Sequence, residues 1–284
     1  MSIRLFEGRK HANLYVKYRA TVPDSVIKRV LDYLGHKIDS TDWNNAVDVG
    51  CGSGQATNRI AQYFKHCYGL DVSPAQIKMA KEAIYPHNIS YEVSPAENMP
   101  SIPTNSIQLV TAVQAVHWFD FEKFMIEMSR VLVTNGVVAI IGFSYPDTRD
   151  PRNTDDERIT HMINELLFSD QRLIPYRNPH HIRNLQTTLH ENLYRNLQFP
   201  DNYEIQYIDD IKMSTTVPAQ HVVGRFESSS QYQTIVKNDP NTAQQILQQL
   251  RHKLQEILEI NDLSNIQVIN NYHCFIALAR KLSN

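Results

Sequence analysis

The feature that most constrains this chain is the run Ala46-Val47-Asp48-Val49-Gly50-Cys51-Gly52-Ser53-Gly54. A short apolar stretch ends in glycines at alternate positions, and Ala56, Ile60, Ala61 and Phe64 then recur at helical spacing. The pattern reads as strand, tight turn, helix. Glycines in such a turn let the backbone bend sharply and approach a ligand with no Cβ in the way. The spacing is selective. Nicotinamide-type sites favour G-x-G-x-x-G, which would put the third glycine at 55, where this chain has Gln. Further apolar runs at 67–70, 89–93, 107–113 and 137–143 are separated by helical patterns. Strands apolar throughout and alternating with helices predict a mostly parallel sheet covered on both faces: a doubly wound α/β fold.

The flanking segments read differently. A helix is expected over 23–35, with Val26, Val30, Leu31 and Leu34 on one face. Ser73-Pro74-Ala75-Gln76 reads as a helix start, with Ser73 as cap, Pro74 at the first helical position and Gln76 completing a capping box. Residues 145–200 are rich in Asp, Asn, Arg, His and Pro, with a weak helical pattern at 159–167, and read as an insertion or lid. Segments 204–208, 211–213 and 272–278 are strand-like. A helix over 241–260 carries a stripe of Leu247, Leu250, Leu254 and Leu258, which is expected to pack on the sheet because it spans too few heptads for a coiled coil.

Ligands in open α/β sheets bind beyond the carboxyl ends of the strands. Asp71 ends the second strand, 17 positions after Gly54, where a carboxylate can accept hydrogen bonds from ribose hydroxyls. It could instead cap the next helix, but Ser73 already offers a cap. Ala96-Glu97 follows the third strand. Gln114, His117 and Trp118 follow the fourth; His117 reads either as a structural histidine or as a catalytic or substrate-orienting one, and Trp118 as core packing or as part of the site.

These residues resemble the class I S-adenosylmethionine-dependent methyltransferases over about residues 12–143, on the strength of 48–54, Asp71 and 110–120. Within them, His117-Trp-Phe-Asp-Phe-Glu-Lys-Phe124 and Tyr15-x-x-Tyr18-Arg19 are similar to the fungal-type trans-aconitate methyltransferase group. The resemblance implies a Rossmann-like, seven-stranded sheet and S-adenosylmethionine as cofactor. Asp48, Gly50, Cys51, Gly52 and Gly54 would hold its methionine end, Asp71 the ribose, Ala96 and Glu97 the adenine, and Gln114 the methionyl side, with Val72 also in contact with the cofactor. Tyr18 and Arg19 would close over it, with Tyr15, His117, Trp118 and Arg177 facing substrate. The implied division is a lid segment at 1–22, a cofactor-binding core at 23–143, a substrate or lid insertion at 144–200, and the rest of the sheet with helices at 201–284.

The chain departs from the family pattern at three places. Gln108 stands where an acidic residue is common. Thr134-Asn135-Gly136 replaces a Pro-Gly-Gly turn. Residues 228–232 read Ser-Ser-Ser-Gln-Tyr where the trans-aconitate group shows Thr-Trp-Ser-x-Tyr, so the acceptor is left open.

Composition narrows the class. A formal net charge of −2 gives no basic excess for nucleic acid, and no stretch approaches the ~18 apolar residues of a membrane span. Three cysteines without paired spacing suit a reducing compartment, and the N-terminus shows no secretory h-region, so a cytoplasmic protein is expected, monomeric or weakly dimeric. His180-His181 and the other histidines lack metal spacing, so no metal is expected. The expected activity is methyl transfer to a small, acidic or hydroxyl-bearing acceptor, at a carboxylate or hydroxyl oxygen. The competing reading is a catalytically decayed cofactor-binding module acting as a sensor or partner protein.

Overall fold

The computed structural model describes residues 14, 17–19, 21–83, 86–176 and 194–282. Tyr15 and Arg177, both expected at the site, lie outside them. In chain order the principal elements are α1 (Asp24–Gly35), β1 (Asn45–Val49), α2 (Gln55–Ile60), β2 (His66–Asp71), α3 (Pro74–Glu82), β3 (Ile89–Val93), β4 (Ile107–Val113), α4 (Phe121–Val131), β5 (Leu132–Phe143), β6 (Asp147–Arg149), α5 (Arg158–Ser169), β7 (Tyr203–Pro218), α6 (Gln220–Glu227), α7 (Ser230–Asn238), α8 (Pro240–Leu258) and β8 (Gln267–Lys281). Paired strands follow the order β3-β2-β1-β4-β5-β8-β6, and β7 also pairs β8, making eight where seven were expected. No described helix is long and apolar enough to cross a membrane.

The chain divides into two compact units. The larger comprises residues 21–143, 188–211 and 274–284; the smaller comprises 1–20, 144–187 and 212–273.

In the larger unit β1 to β5 are mutually parallel, and β8 runs antiparallel to β5, from Val137↔Arg280 to Phe143↔Cys274. Apolar side chains occupy both faces: β4 is buried from Ile107 to Ala112 and β1 from Ala46 to Val49. The helices follow from local chemistry. Asp120 caps α4 by accepting from Lys123 N, and Phe124, Met128 and Val131 return to the core at helical spacing. The order 3-2-1-4-5 leaves β1 between β2 and β4, so the chain leaves β1 in one direction and returns on its other side. That reversal creates a crevice at the carboxyl ends of β1 and β4.

Some element boundaries differ from expectation. Strand β5 begins at Leu132 because Asn135, at φ 66°, and Gly136 make an excursion inside the strand. The register accordingly jumps from Ile107↔Leu132 to Leu109↔Val137. The two short runs near 204–213 form one strand, whose exposed Asp209 and Asp210 had masked its continuity. Strand β8 extends through Arg280 and Lys281, both only 1% exposed.

The smaller unit has its own core, in which α5, α6, α7 and α8 pack together with Val268 of β8. The buried stripe of α8 is Ala243, Ile246, Leu250, Leu254 and Leu258, with Leu247 at its flank. It packs chiefly on neighbouring helices, not on the sheet as its periodicity alone suggested. Asp239 caps it through Thr242 N, with Pro240 in the first turn. Gly224 interrupts α6 for a packing reason: a Cβ there would stand 2.5 Å from the ring of Tyr18, which also meets His221 edge-on with centroids 5.0 Å apart.

Candidate functional site

The carboxyl end of β1 runs into a turn in which Gly50, Gly52 and Gly54 all take left-handed φ, at 65°, 56° and 85°. Two of them meet different surroundings. A Cβ on Gly50 would lie 2.5 Å from Ala115 Cβ, so the loop after β4 closes directly on the turn. A Cβ on Gly52 would point toward open space, its nearest neighbour being Gln76 Oε1 at 3.9 Å. Gly52 is thus the position where the backbone is left bare. Cys51 N donates to Leu70 O at 3.0 Å, which ties the turn to β2. The Cys51 thiol is buried and its pKa is driven well up by loss of solvent, so it is a packing group, not a nucleophile.

Two carboxylates flank the turn. Asp48 is 1% exposed; its Oδ2 accepts from Thr57 Oγ1 at 2.6 Å and its Oδ1 from Thr111 Oγ1 at 2.7 Å. Burial raises its pKa to about 6, against these two hydrogen bonds, and the negative charge of Asp71 adds to the rise. Asp71 sits at the end of β2, where its Oδ2 accepts from Gly52 N at 2.9 Å and its Oδ1 from Ser73 N at 2.8 Å. Burial raises its pKa too, again against those hydrogen bonds. No described Lys, Arg or His pairs with either carboxylate.

The helix start after Asp71 departs from a full capping box. Ser73 Oγ accepts from Gln76 N at 3.3 Å, but Ser73 N donates to Asp71, and the buried Gln76 Oε1 has no hydrogen-bond partner among the described residues. Asp71 therefore braces the start of α3, the capping alternative, and also ties down the backbone of the glycine turn. Val72, next to it, is 54% exposed, an apolar surface at the rim.

The loops after β3 and β4 complete the rim. Ala96 is buried, and Glu97 Oε1 accepts from Asp120 N at 2.8 Å, linking the two loops. Gln114 holds φ 52°, a left-handed conformation that costs a non-glycine residue about 1 kcal/mol or more. It is held there by its N–H, which donates to Ile141 O at 2.9 Å, and by Nε2, which donates to Phe143 O at 3.0 Å. His117 lies in the short 3₁₀ turn Val116–Trp118, half-buried, with Trp118 tilted against it at a centroid distance of 5.1 Å. Trp118 is also half-buried, and Phe119, not Trp118, packs on the core.

Asp48, Gly50, Cys51, Gly52, Gly54, Asp71, Val72, Ala96, Glu97, Gln114, His117 and Trp118 all lie at the carboxyl ends of β1 to β4, or in the loops that follow them, in the larger unit. Tyr18 and Arg19 belong to the smaller unit, where Arg19 Nε donates to Ser228 Oγ at 3.2 Å. Sequence reasoning missed Thr57 and Thr111, and gave Gln76 a capping role only. The first two stand out only once Asp48 is known to be buried. Gln108, a departure from the family pattern, keeps the acceptor role of an acid: its Oε1 takes Asn44 N at 3.1 Å and Asn45 N at 2.7 Å.

The donor set tests what this crevice suits. Two buried carboxylates without a described cationic partner, an unfilled carbonyl acceptor and a bare glycine backbone fit a ligand that is positively charged and carries hydroxyl groups. S-adenosylmethionine, with its sulfonium, ammonium and ribose diol, has that chemistry.

Comparison with known proteins agrees. A methyltransferase-domain family model matches residues 47–140. A Dictyostelium discoideum protein named as a methyltransferase is 26% identical over 94% of this chain and 92% of its own length. A Saccharomyces cerevisiae protein named as an S-adenosylmethionine-dependent methyltransferase is 27% identical over 48% of this chain and 46% of its own. In fold, a structure from Anaeromyxobacter dehalogenans named as a type II methyltransferase superposes with a TM-score of 0.67 at 22% identity, covering 94% of this chain and all of the other. With that strand order, that turn and those relatives, the chain is a class I S-adenosylmethionine-dependent methyltransferase.

Proposed function

We propose that the enzyme methylates a small, acidic or hydroxyl-bearing molecule at a carboxylate or hydroxyl oxygen. The observation that carries the cofactor half of this reading is the meeting of Asp71 Oδ2 with the bare Gly52 backbone. In this reading Asp71 takes the ribose hydroxyls. Asp48 and the turn Gly50, Cys51, Gly52, Gly54 hold the methionine end, and Gln114 lines its far side. Val72, Ala96 and Glu97 border the adenine. Bound there, S-adenosylmethionine supplies a methyl group on a positively charged sulfur, a leaving group that needs no protonation.

What remains for the protein is orientation and the exclusion of water. A carboxylate acceptor is already ionised at neutral pH and needs no base, so His117 acts on it as a positioning group beside Trp118. A hydroxyl acceptor would need His117 to take its proton. His117→Ala separates the roles. We expect KM for the acceptor to rise several-fold with kcat within about tenfold; a fall in kcat of about 10² or more would instead assign His117 as the base. We further place the enzyme in the cytoplasm as a monomer or weak dimer without nucleic-acid or membrane partners, in keeping with its net charge of −2. The decisive experiment is a metabolite-extract methylation screen with isotopically labelled cofactor. Label in a small organic acid or alcohol supports the proposal, and label confined to protein or nucleic acid removes it.

A further inference from the structure

The smaller unit contains a cavity to which the methyl-transfer reading gives no role. Its apolar walls are Ile163, Leu166 and Leu167 of α5, Val222 and Phe226 of α6, and Leu250 of α8. It is a narrow, partly open cleft with about 480 Å³ of atom-free space, mouth included. Arg225 and Arg19 are set into this wall together with Asn270, and no Asp or Glu is among its described lining residues.

Arg225 is the unusual group. Its guanidinium lies over the rings of Tyr145 and Tyr272, at 5.2 Å and 5.6 Å from their centroids. Its side chain makes no hydrogen bond or ion pair with any described residue. Four other arginines of the same unit are each matched to a carboxylate: Arg149 to Asp147, Arg152 to Asp150, Arg158 to Asp156 and Arg172 to Asp170. Two aromatic faces compensate a desolvated cation only partly. Burial, with the nearby positive charge of Arg19, brings the Arg225 pKa down to about 10 although the two tyrosines work the other way, so it still carries its charge at neutral pH. Asn270 adds a second donor. Its Oδ1 accepts from Thr148 Oγ1 at 2.7 Å, while its amide NH₂ has no partner among the described residues. The cleft thus presents donors and positive charge at one place and hydrocarbon elsewhere.

We propose that this cleft binds a slender organic anion, its carboxylate on the Arg225 fork and its apolar body between α5, α6 and α8. A guanidinium suits this better than an ammonium would, since its planar fork matches a carboxylate in two parallel hydrogen bonds. The inference stands apart from methyl transfer, because binding is read without cofactor.

The test is calorimetric titration of the full chain with octanoate, 1-octanol and octylamine. Octanoate should bind at least tenfold more tightly than the alcohol, and the amine should not bind. Arg225→Gln should weaken octanoate at least tenfold while leaving affinity for S-adenosylhomocysteine unchanged, which also reports that the variant is folded. Arg225→Lys should keep part of the binding. Equal affinity for octanoate and octanol, unchanged octanoate affinity in Arg225→Gln, or no binding of any unbranched acid from four to twelve carbons would overturn the proposal. If Arg225→Gln does not fold, the acid-against-alcohol comparison in the unmodified chain decides alone. Adding labelled cofactor then sorts the ligand: label on the acid makes it a methyl acceptor, and binding without label makes it a separate ligand of the same site, either result supporting the cleft.

Discussion

Asp48 shows what one buried carboxylate costs and why it is kept. Its pKa stands at about 6, above the ordinary carboxylate value near 4, because two threonine hydroxyls do not replace the water it has lost. Between pH 4 and pH 6 the folded chain therefore holds a proton that the unfolded chain releases. Stability must fall as pH rises through that window, by about 3 kcal/mol from this group alone. Asp71 is raised by the same cause and adds to the slope. Asp48→Asn keeps the shape, and its amide can still pair with hydroxyls that rotate. We expect urea denaturation to find this variant equal to the parent at pH 4 and more stable by up to about 3 kcal/mol at pH 7.5, with the smaller Asp71 slope remaining. An unchanged pH slope would show that Asp48 is not its source. The cost belongs to binding: a cationic ligand gains from a carboxylate that has no described cation of its own. Asp71→Ala should weaken S-adenosylhomocysteine at least tenfold by calorimetry, and an unchanged affinity would remove the ribose role.

At the level of elements, legibility followed local signal. Strands β1 to β4 and helices α1, α3, α4 and α8 were readable because their apolar periodicity is regular, with a capping residue adding to it at Ser73-Pro74. The crevice was readable because glycines at alternate positions leave few other backbone choices. What stayed hidden depends on contacts distant in sequence. Strand β8 was cut short at 278 because Arg280 and Lys281 look like surface residues, yet both are buried. Arg280 lies over the Tyr33 ring at 4.2 Å and donates to Asn135 O at 3.1 Å. Lys281 Nζ donates to Ser129 O at 2.7 Å, Leu132 O at 2.9 Å and Asn105 Oδ1 at 3.3 Å. No pattern within ten residues announces this. The same contacts make a prediction. Lys281→Ala removes the donor from two carbonyls where α4 passes into β5 and from Asn105 Oδ1 ahead of β4, and should destabilise the chain by about 3 kcal/mol in urea melts. A loss below about 1 kcal/mol would mean that water satisfies those carbonyls as well as the ammonium does.

Over the whole molecule, the residues at the carboxyl ends of β1 to β4 and those of the anion cleft, Arg19 among them, fall in different compact units, each with its own core. The polar composition suggested an insertion at 144–200 only; the helical core of the smaller unit, which also draws on residues 219–268, was not expected. Ile159, Met162, Val222, Ile246 and Leu250 are scattered over more than 90 residues and meet only in the folded unit. Two cores make a testable pattern of ligand stabilisation. S-adenosylhomocysteine at 100 times its Kd should stabilise the state that binds it by about 2.7 kcal/mol. Hydrogen exchange should then slow at 48–54, 71–76 and 114–118, at the carboxyl ends of β1, β2 and β4. The cleft helices α5, α6 and α8 should respond instead to octanoate. Protection by S-adenosylhomocysteine centred on α5 and α8, with 48–54 unchanged, would move the cofactor out of the glycine turn and undo the assignment of both sites.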